Sequence, residues 1–430
     1  MYDVIIIGAG AAGMMAAIHA AGNGAKVLVL EKNEKAGKKI YITGKGRCNV
    51  TNAAPMEEVL ANVNTNPRFL YGSFAYCTNQ AVCELLEAHG LELKIERGNR
   101  VFPVSDHSSD VIGTLIRAMN RLGVKLRLNS EVKEILYQPL EQHEPKDPKQ
   151  RIRAVRLADG SVLETKTVLL ASGGLSYPAT GSTGDGHRFA KESGLAVTAC
   201  YPSLVPLEVK EAWIGELQGL SLKNITATFS VNGKPVYSGL GELMFTHFGI
   251  TGPLVLSASA LLTDQCTAAN EVRCEIDMKP ALTEKQLDER VLRDFAAVPN
   301  KQLKNALDKL LPQKMIPLMI RRAGLSGELC IHEITKEQRK ALVQTIKCFS
   351  LEISKTRGFK EAVITKGGIS VKEVNPKTLE VKSIRGLYVA GELLDLDAMT
   401  GGYNLQIAWS TGALAGFHAA RAALADVRKR

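Results

Sequence analysis

The chain of 430 residues predicts an α/β fold: a parallel sheet with a small antiparallel layer, split between both ends of the chain, with a β-rich domain and a helical module inserted between the halves. Three observations carry this. Residues 2–13, YDVIIIGAGAAG, read as a buried strand entering a glycine turn, and helix-spaced alanines then lead to a second apolar strand at 27–30, VLVL. Residues 386–392, GLYVAGE, repeat the strand-and-glycine signature near the other end and precede a long helix over about 404–425. Between them the apolar spacing changes after residue 194 to strand-like runs at 195–208, 225–231 and 272–278, then to helical spacing over 280–345, and back to a strand at 349–353. The expected division is 1–194 with 363–430, then 195–279 with 346–362, then 280–345.

The opening segment is the pattern of a Rossmann-like dinucleotide domain. Gly8 allows the tight turn, Gly10 lets the backbone approach a pyrophosphate, and Gly13 lets the following helix pack closely. The phosphates then meet a helix N-terminus, whose unpaired amides stabilise an anion by roughly 0.3 to 1 kcal/mol when exposed. Ala16, Ala17, Ala20 and Ala21 make a slim helix stripe, and the second strand ends in Glu31, an acid placed to hold ribose hydroxyls. A phosphate on that ribose would meet a like charge, at about 4 kcal/mol for a ~4 Å separation near a protein surface. FAD or NAD is therefore expected over NADP at this site.

Residues 38–52, KKIYITGKGRCNVTN, are dense in glycine and hydrogen-bonding side chains and read as a ligand loop. Helical spacing follows at 80–90 and 109–123, with strands at 125–128 and 132–137. A polar turn at 139–149 leads to strands at 152–157 and 162–168, which complete the antiparallel layer. The apolar run 168–171 then enters Ser172-Gly173-Gly174, a return to the first sheet, where glycines remove side chains as a strand end passes the cofactor. Asp185, in TGDG at 183–186, reads as a helix cap.

The closing segment separates FAD from NAD. A flavin needs a second anchor for its ribityl chain and ring, and Gly391-Glu392 offers a carboxylate for the ribityl hydroxyls. Thr400-Gly401-Gly402-Tyr403-Asn404-Leu405 lets amides at the start of the last helix approach the ring. Reduced flavin carries negative charge near N1 and the C2 carbonyl, and an oriented helix N-terminus stabilises it.

Composition narrows the class. Hydrophobic residues at 45% and charged residues at 23% fit an ordered globular chain, and no apolar run approaches the ~20 residues of a membrane span. The apolar N-terminus is needed as a strand, so it is not expected to be a signal peptide, and a cytoplasmic protein is expected. Eight cysteines without CxxC spacing argue against a dithiol relay or a metal site. The formal charge of +10 raises the question of RNA, but Lys and Arg are spread along the chain, and the one dense cluster, 146–156, has acids nearby. A small-molecule substrate is expected, with no nucleic acid and no membrane partner.

Taken together, GAGAAG, GKGRCNVTN, ASGGLSYPATGSTGDG and GLYVAGELLDLDAMTGGYNLQIAWSTG resemble the bacterial NAD(P)/FAD-dependent oxidoreductases, a family that includes aminoacetone oxidase and a reductase of 3-oxo bile-acid enones. TGDG also resembles the fumarate reductase and succinate dehydrogenase flavoproteins. The resemblance implies a two-dinucleotide-binding flavoprotein domain with inserted β-rich and helical parts. It further implies that Gly10, Ala11 and Ala12 hold phosphates, Glu31 and Lys32 the adenosine end, and Gly46, Arg47, Cys48 and Asn49 the ribityl and ring region. Val132 would meet the adenine through its backbone, and Glu392, Asn404 and Leu405 the flavin.

With no second GxGxxG, NAD(P)H either docks transiently over the flavin or is not the donor. The resemblance implies reduction of a conjugated carbonyl compound, an enone such as a steroid or bile acid; an amine oxidase of the aminoacetone oxidase type is the close alternative, and a flavin-dependent tRNA-modifying protein the alternative of another class. Tyr177, His247 and the stretch 244–253 are nominated to face the substrate, although a structural role for Tyr177 and His247 is the commoner one. No catalytic acid or base is assigned.

Overall fold

The structure is a computed structural model that describes residues 1–141 and 147–425. The chain forms two compact units, residues 1–202 with 359–430, and residues 203–358. Lys146, the first residue of the basic cluster, lies outside the described residues.

The first unit is built on one parallel βαβ motif. Strand Tyr2–Ile7 leads through helix Ala11–Gly22 to strand Val27–Leu30, with Ile5 opposite Leu28 and Ile7 opposite Leu30. These strands are buried on both faces, as their unbroken apolar sequence requires. Among the described residues the sheet has eight strands, and its main path runs Ile384–Arg385, Gln150–Leu157, Val162–Leu170, Tyr2–Ile7, Val27–Leu30, Lys125–Arg127. The run expected as an antiparallel strand at 162–168 and a separate return to the parallel sheet is one strand, Val162–Leu170. Its first half pairs antiparallel with Gln150–Leu157 and its second half parallel with both the opening strand and Leu387–Val389. The return is thus made without a turn, and Val168, Leu169 and Leu170 are fully buried where it occurs.

The last helix, Tyr403–Ala425, packs along the first. Small residues make this possible: a Cβ on Gly412 would lie 2.3 Å from the Ala12 carbonyl oxygen, and one on Gly416 2.2 Å from that of Ala16. The first and last helices therefore approach one another backbone to backbone at these two glycines.

The second unit is a closed barrel, in the order Leu207–Val209, Gly249–Thr251, Lys234–Phe245, Ser221–Val231, Val272–Asp277, Phe349–Thr356. Closure comes from Leu207, which pairs with Ile250 on one side and Thr356 on the other. Phe229, Phe245 and Phe349 fill its core, and Leu287, Met319 and Leu342 from helices Glu284–Ala296, Ile316–Arg322 and Lys336–Lys347 belong to the same core. The strand expected over 195–208 is instead two short ones, Tyr201–Ser203 and Leu207–Val209. Leu204 between them turns left-handed at φ 51°, and Pro206 has no amide to continue a ladder.

Candidate cofactor site

In the glycine turn each glycine answers a different constraint. A Cβ on Gly8 (φ 105°) would lie 2.5 Å from the Ala171 carbonyl oxygen, and one on Gly13 only 1.9 Å from that of Gly8. A Cβ on Gly10 would meet nothing within 4 Å. Protein packing explains the first two but not the third, whereas close approach of a diphosphate explains Gly10 as well. Gly10 is also the N-cap of helix Ala11–Gly22 and makes no side-chain cap bond. The first-turn amides of Ala11, Ala12 and Gly13 are left for a ligand.

Glu31 is buried, and its carboxylate is committed within the protein. One oxygen accepts from the Ala9 amide at 2.9 Å; the other accepts from the Asn33 amide at 2.9 Å and its side-chain Nδ2 at 2.7 Å. The acid thus fixes the glycine turn while keeping lone pairs for hydroxyls. Lys32 Nζ lies 2.5 Å from Asp185 and from the Thr183 hydroxyl. Asp185 is not the N-cap expected of it. Gly184 occupies that position at φ 89° with no cap bond, and Asp185 turns its carboxylate to Lys32 instead. Val132 begins strand Val132–Pro139, is buried, and pairs with Leu157.

The ligand loop contains a helical turn, Lys38–Ile42, and a tight 3-10 turn at Thr43–Gly46 with Gly44 and Lys45 left-handed. Arg47 does not present its guanidinium as a free group. It pairs with Glu96 and, at 2.6 Å, with Asp106, and stacks over the Phe102 ring at 4.2 Å. Cys48 is fully buried at φ 59°; burial pushes its thiol up to about 11, against a hydrogen bond with Thr43. A thiol so buried stays protonated and is not a nucleophile. Asn49 Oδ1 is buried and has no protein partner, and neither does Ser172 Oγ. Gly173, at φ 74°, brings its chain against Ser182, where a Cβ would lie 3.0 Å from the hydroxyl.

In the closing segment, Gly391 (φ 76°) would set a Cβ 2.8 Å from the Ala12 side chain, and its amide donates to the Thr411 hydroxyl at 3.0 Å. Gly402 (φ 98°) lies against Thr51, whose backbone a Cβ would meet at 2.5 Å. Asn404 folds back on the preceding loop, accepting from the Ala398 amide at 3.0 Å and donating to the Ala398 carbonyl at 2.8 Å, so it shapes the turn with its side chain. Leu405 is half-buried. Gln406 and Trp409 tie the same helix to the ligand loop, Gln406 accepting from the Thr51 hydroxyl at 2.6 Å and Trp409 donating to the Val50 carbonyl at 2.9 Å. Glu392 Oε1 accepts from the Ser176 hydroxyl at 2.6 Å and the Thr365 amide at 2.8 Å, and Oε2 lies 2.5 Å from Lys39 Nζ. Burial raises its pKa, but Lys39 and these hydrogen bonds prevail and hold the carboxyl below its usual range.

The first unit therefore assembles turn 8–13, Glu31, loop 38–52, Ser172-Gly173 and the closing segment, with orphaned buried polar atoms and a ligand-sized reason for Gly10. These residues fit FAD. Sequence reasoning missed Asn33, which holds Glu31 two residues away, and Lys39, Ser176 and Thr365, which bear on the site through partners far along the chain. Tyr177 is left-handed (φ 51°), with its amide donating to the Phe359 carbonyl at 2.9 Å. In the second unit His247 packs edge-on against its neighbour Phe248, and 244–253 spans a strand end, a short strand and the start of helix Pro253–Leu262. Among the described residues no group of three or more His, Cys, Asp or Glu is placed to hold a metal ion.

Residues 2–418 match the model of the HI0933-like protein Rossmann domain. The chain is 32% identical over 410 residues to the ribosomal RNA dihydrouridine synthase of Haemophilus influenzae, covering 95% of this chain and 96% of that one. It is 31% identical over 426 residues to the 3-dehydro-bile acid delta(4,6)-reductase of Clostridium scindens, covering 98% and 99%. Among solved structures, 3-ketosteroid delta1-dehydrogenase from Sterolibacterium denitrificans matches with a TM-score of 0.54 at 15% identity, over 98% of this chain and 99% of that one, a likeness of fold.

Proposed function

The chain belongs to the HI0933-like Rossmann family and is an FAD-dependent oxidoreductase, and on that premise we propose that it reduces a carbon–carbon double bond conjugated to a carbonyl, with NAD(P)H as electron donor. FAD, when bound, supplies hydride chemistry at its N5. What supports the reading most directly is the closing helix. It is 23 residues long, has no acidic residue in its first turn, and starts from Gly401-Gly402 packed on the ligand loop. Its positive end stabilises negative charge on a reduced ring, which favours taking a hydride from a donor. The cofactor is held by the turn 8–13, Glu31, Lys32, Val132, Gly46 to Asn49, Ser172, Gly173 and the 391–405 segment. The reaction runs in the cytoplasm.

Both relatives' names describe this chemistry. A 3-oxo group conjugated with the delta(4,6) bonds and the C5=C6 bond of uracil beside its C4 carbonyl are each open to hydride addition at the carbon β to the carbonyl. A second reading, with uracil in RNA as substrate, is favoured by the charge of +10 and by relatives of that name at 32% and 28% identity. Anaerobic mixing tests the reaction class. NADH or NADPH is expected to bleach the flavin absorbance, and a steroid 3-oxo-4,6-diene to restore it. Failure of both nucleotides to bleach, with peroxide formed from an amine in air, would make the protein an amine oxidase instead; restoration by RNA and not by enones would select the second reading.

A further inference from the structure

Lys39 has no role in the motif reading, yet the structure builds a site around it. Its ammonium donates to the Ser176 hydroxyl at 2.6 Å and lies 2.5 Å from Glu392 Oε2. Ser176 in turn donates to Glu392 Oε1 at 2.6 Å, so the three side chains form a closed ring. Thr365 holds this ring from behind, its amide on Glu392 at 2.8 Å and its hydroxyl accepting the Leu175 and Ser176 amides at 2.8 and 3.1 Å. Four segments far apart in sequence thus converge to hold one lysine.

Two contacts bring the segments that carry this ring to the phosphate turn. The Gly37 amide, at the start of the helical turn that carries Lys39, donates to the Ala9 carbonyl at 2.9 Å. Gly391, next to Glu392, approaches Ala12 so closely that a Cβ would come within 2.8 Å. A diphosphate on the Gly10 to Gly13 amides would carry about two negative charges, and the turn itself has no Lys or Arg. An ammonium has three donors, of which Ser176 and Glu392 take two.

We propose that Lys39 is a cofactor-binding residue whose third N–H compensates the diphosphate, with Glu392 and Ser176 as the positioning residues that aim it. This rests on the FAD reading above and assigns the charge that the glycine turn lacks. Glu392 keeps one lone pair on Oε2 for a ribityl hydroxyl, so the pair joins the phosphate and ribityl ends of the site.

The test strips flavin from the whole protein and titrates it back by fluorescence quenching with FAD, FMN and riboflavin. Lys39→Met is expected to weaken FAD and FMN by about tenfold to a hundredfold, the loss of one charge-assisted hydrogen bond, and to leave riboflavin unchanged. Lys39→Arg should recover most of the lost FAD affinity, and Glu392→Gln should weaken FAD less than Lys39→Met does. Equal FAD affinity in Lys39→Met and wild type, or an equal loss for riboflavin, would overturn the proposal and leave a structural ion pair. If Lys39→Met does not fold by circular dichroism, Lys39→Gln takes its place with the same three flavins. A wild-type apoprotein that binds no FAD would instead remove the cofactor reading itself.

Discussion

At Glu31 one carboxylate braces the fold and keeps lone pairs that the proposed FAD reading gives to the ribose. It takes the Ala9 amide and both donors of Asn33, so under that reading the turn that would receive phosphate is braced by the residue that would receive ribose. Glu31→Arg should therefore strand the buried Ala9 amide, at about 1–3 kcal/mol, and also remove the acceptor proposed for the ribose hydroxyls, since a guanidinium has donors only. The expected result is a folded protein with a lowered melting temperature and a large fall in flavin per protein, measured by visible absorbance. Full flavin at the wild-type melting temperature would place the adenosine end elsewhere. Arg47 and Asp185 teach the complementary lesson. Their presence in motifs was visible, but their partners Glu96, Asp106 and Lys32 were not, because an ion pair between distant residues leaves no periodic trace.

Among elements, the strand–turn–helix–strand opening was legible because all its constraints are local. Apolar runs, glycines at fixed offsets and a small helix face lie within one stretch. The barrel was legible only as β character. Its closure depends on Leu207 meeting Ile250 and Thr356, and its longest strand, Lys234–Phe245, hides its period behind glycines and exposed Leu240. The stretch 280–345 reads as helical, but around its leucines at 303–311 the helix is only Leu303–Ala306, since the chain turns at Leu307. The contact of first and last helices was half legible, as small residues without a known partner. It gives a sharp prediction. Gly416→Val must push its Cβ against the Ala16 carbonyl, a backbone atom that cannot swing aside. Overpacking of this kind costs about 1–3 kcal/mol, which outweighs any gain in helix propensity. Thermal melts should show a lower midpoint and flavin should leave at lower denaturant than in wild type; an unchanged midpoint would mean that the helices are not held at this spacing.

For the whole molecule the charge of +10 bears on whether RNA is a partner. In the second unit many cations face acids: Arg339 with Asp288, Arg357 with Glu208, Arg321 with Glu216, Lys304 with Glu328. In the first, Arg47 and Lys166 are likewise paired. Cations engaged this way are poor counterions for a phosphate backbone, because each new contact must first break an existing one. A surface that reads RNA through six to ten phosphates loses about three to five decades of affinity over a fourfold rise in salt. Paired charges predict a much shallower response here, less than about one decade between 50 and 200 mM salt, for bulk RNA in a gel-shift assay. A drop of three decades or more would show that the cations outside these pairs form a continuous face. The conjugated double bond would then be sought in a uracil ring, with the flavin chemistry of the first unit unchanged.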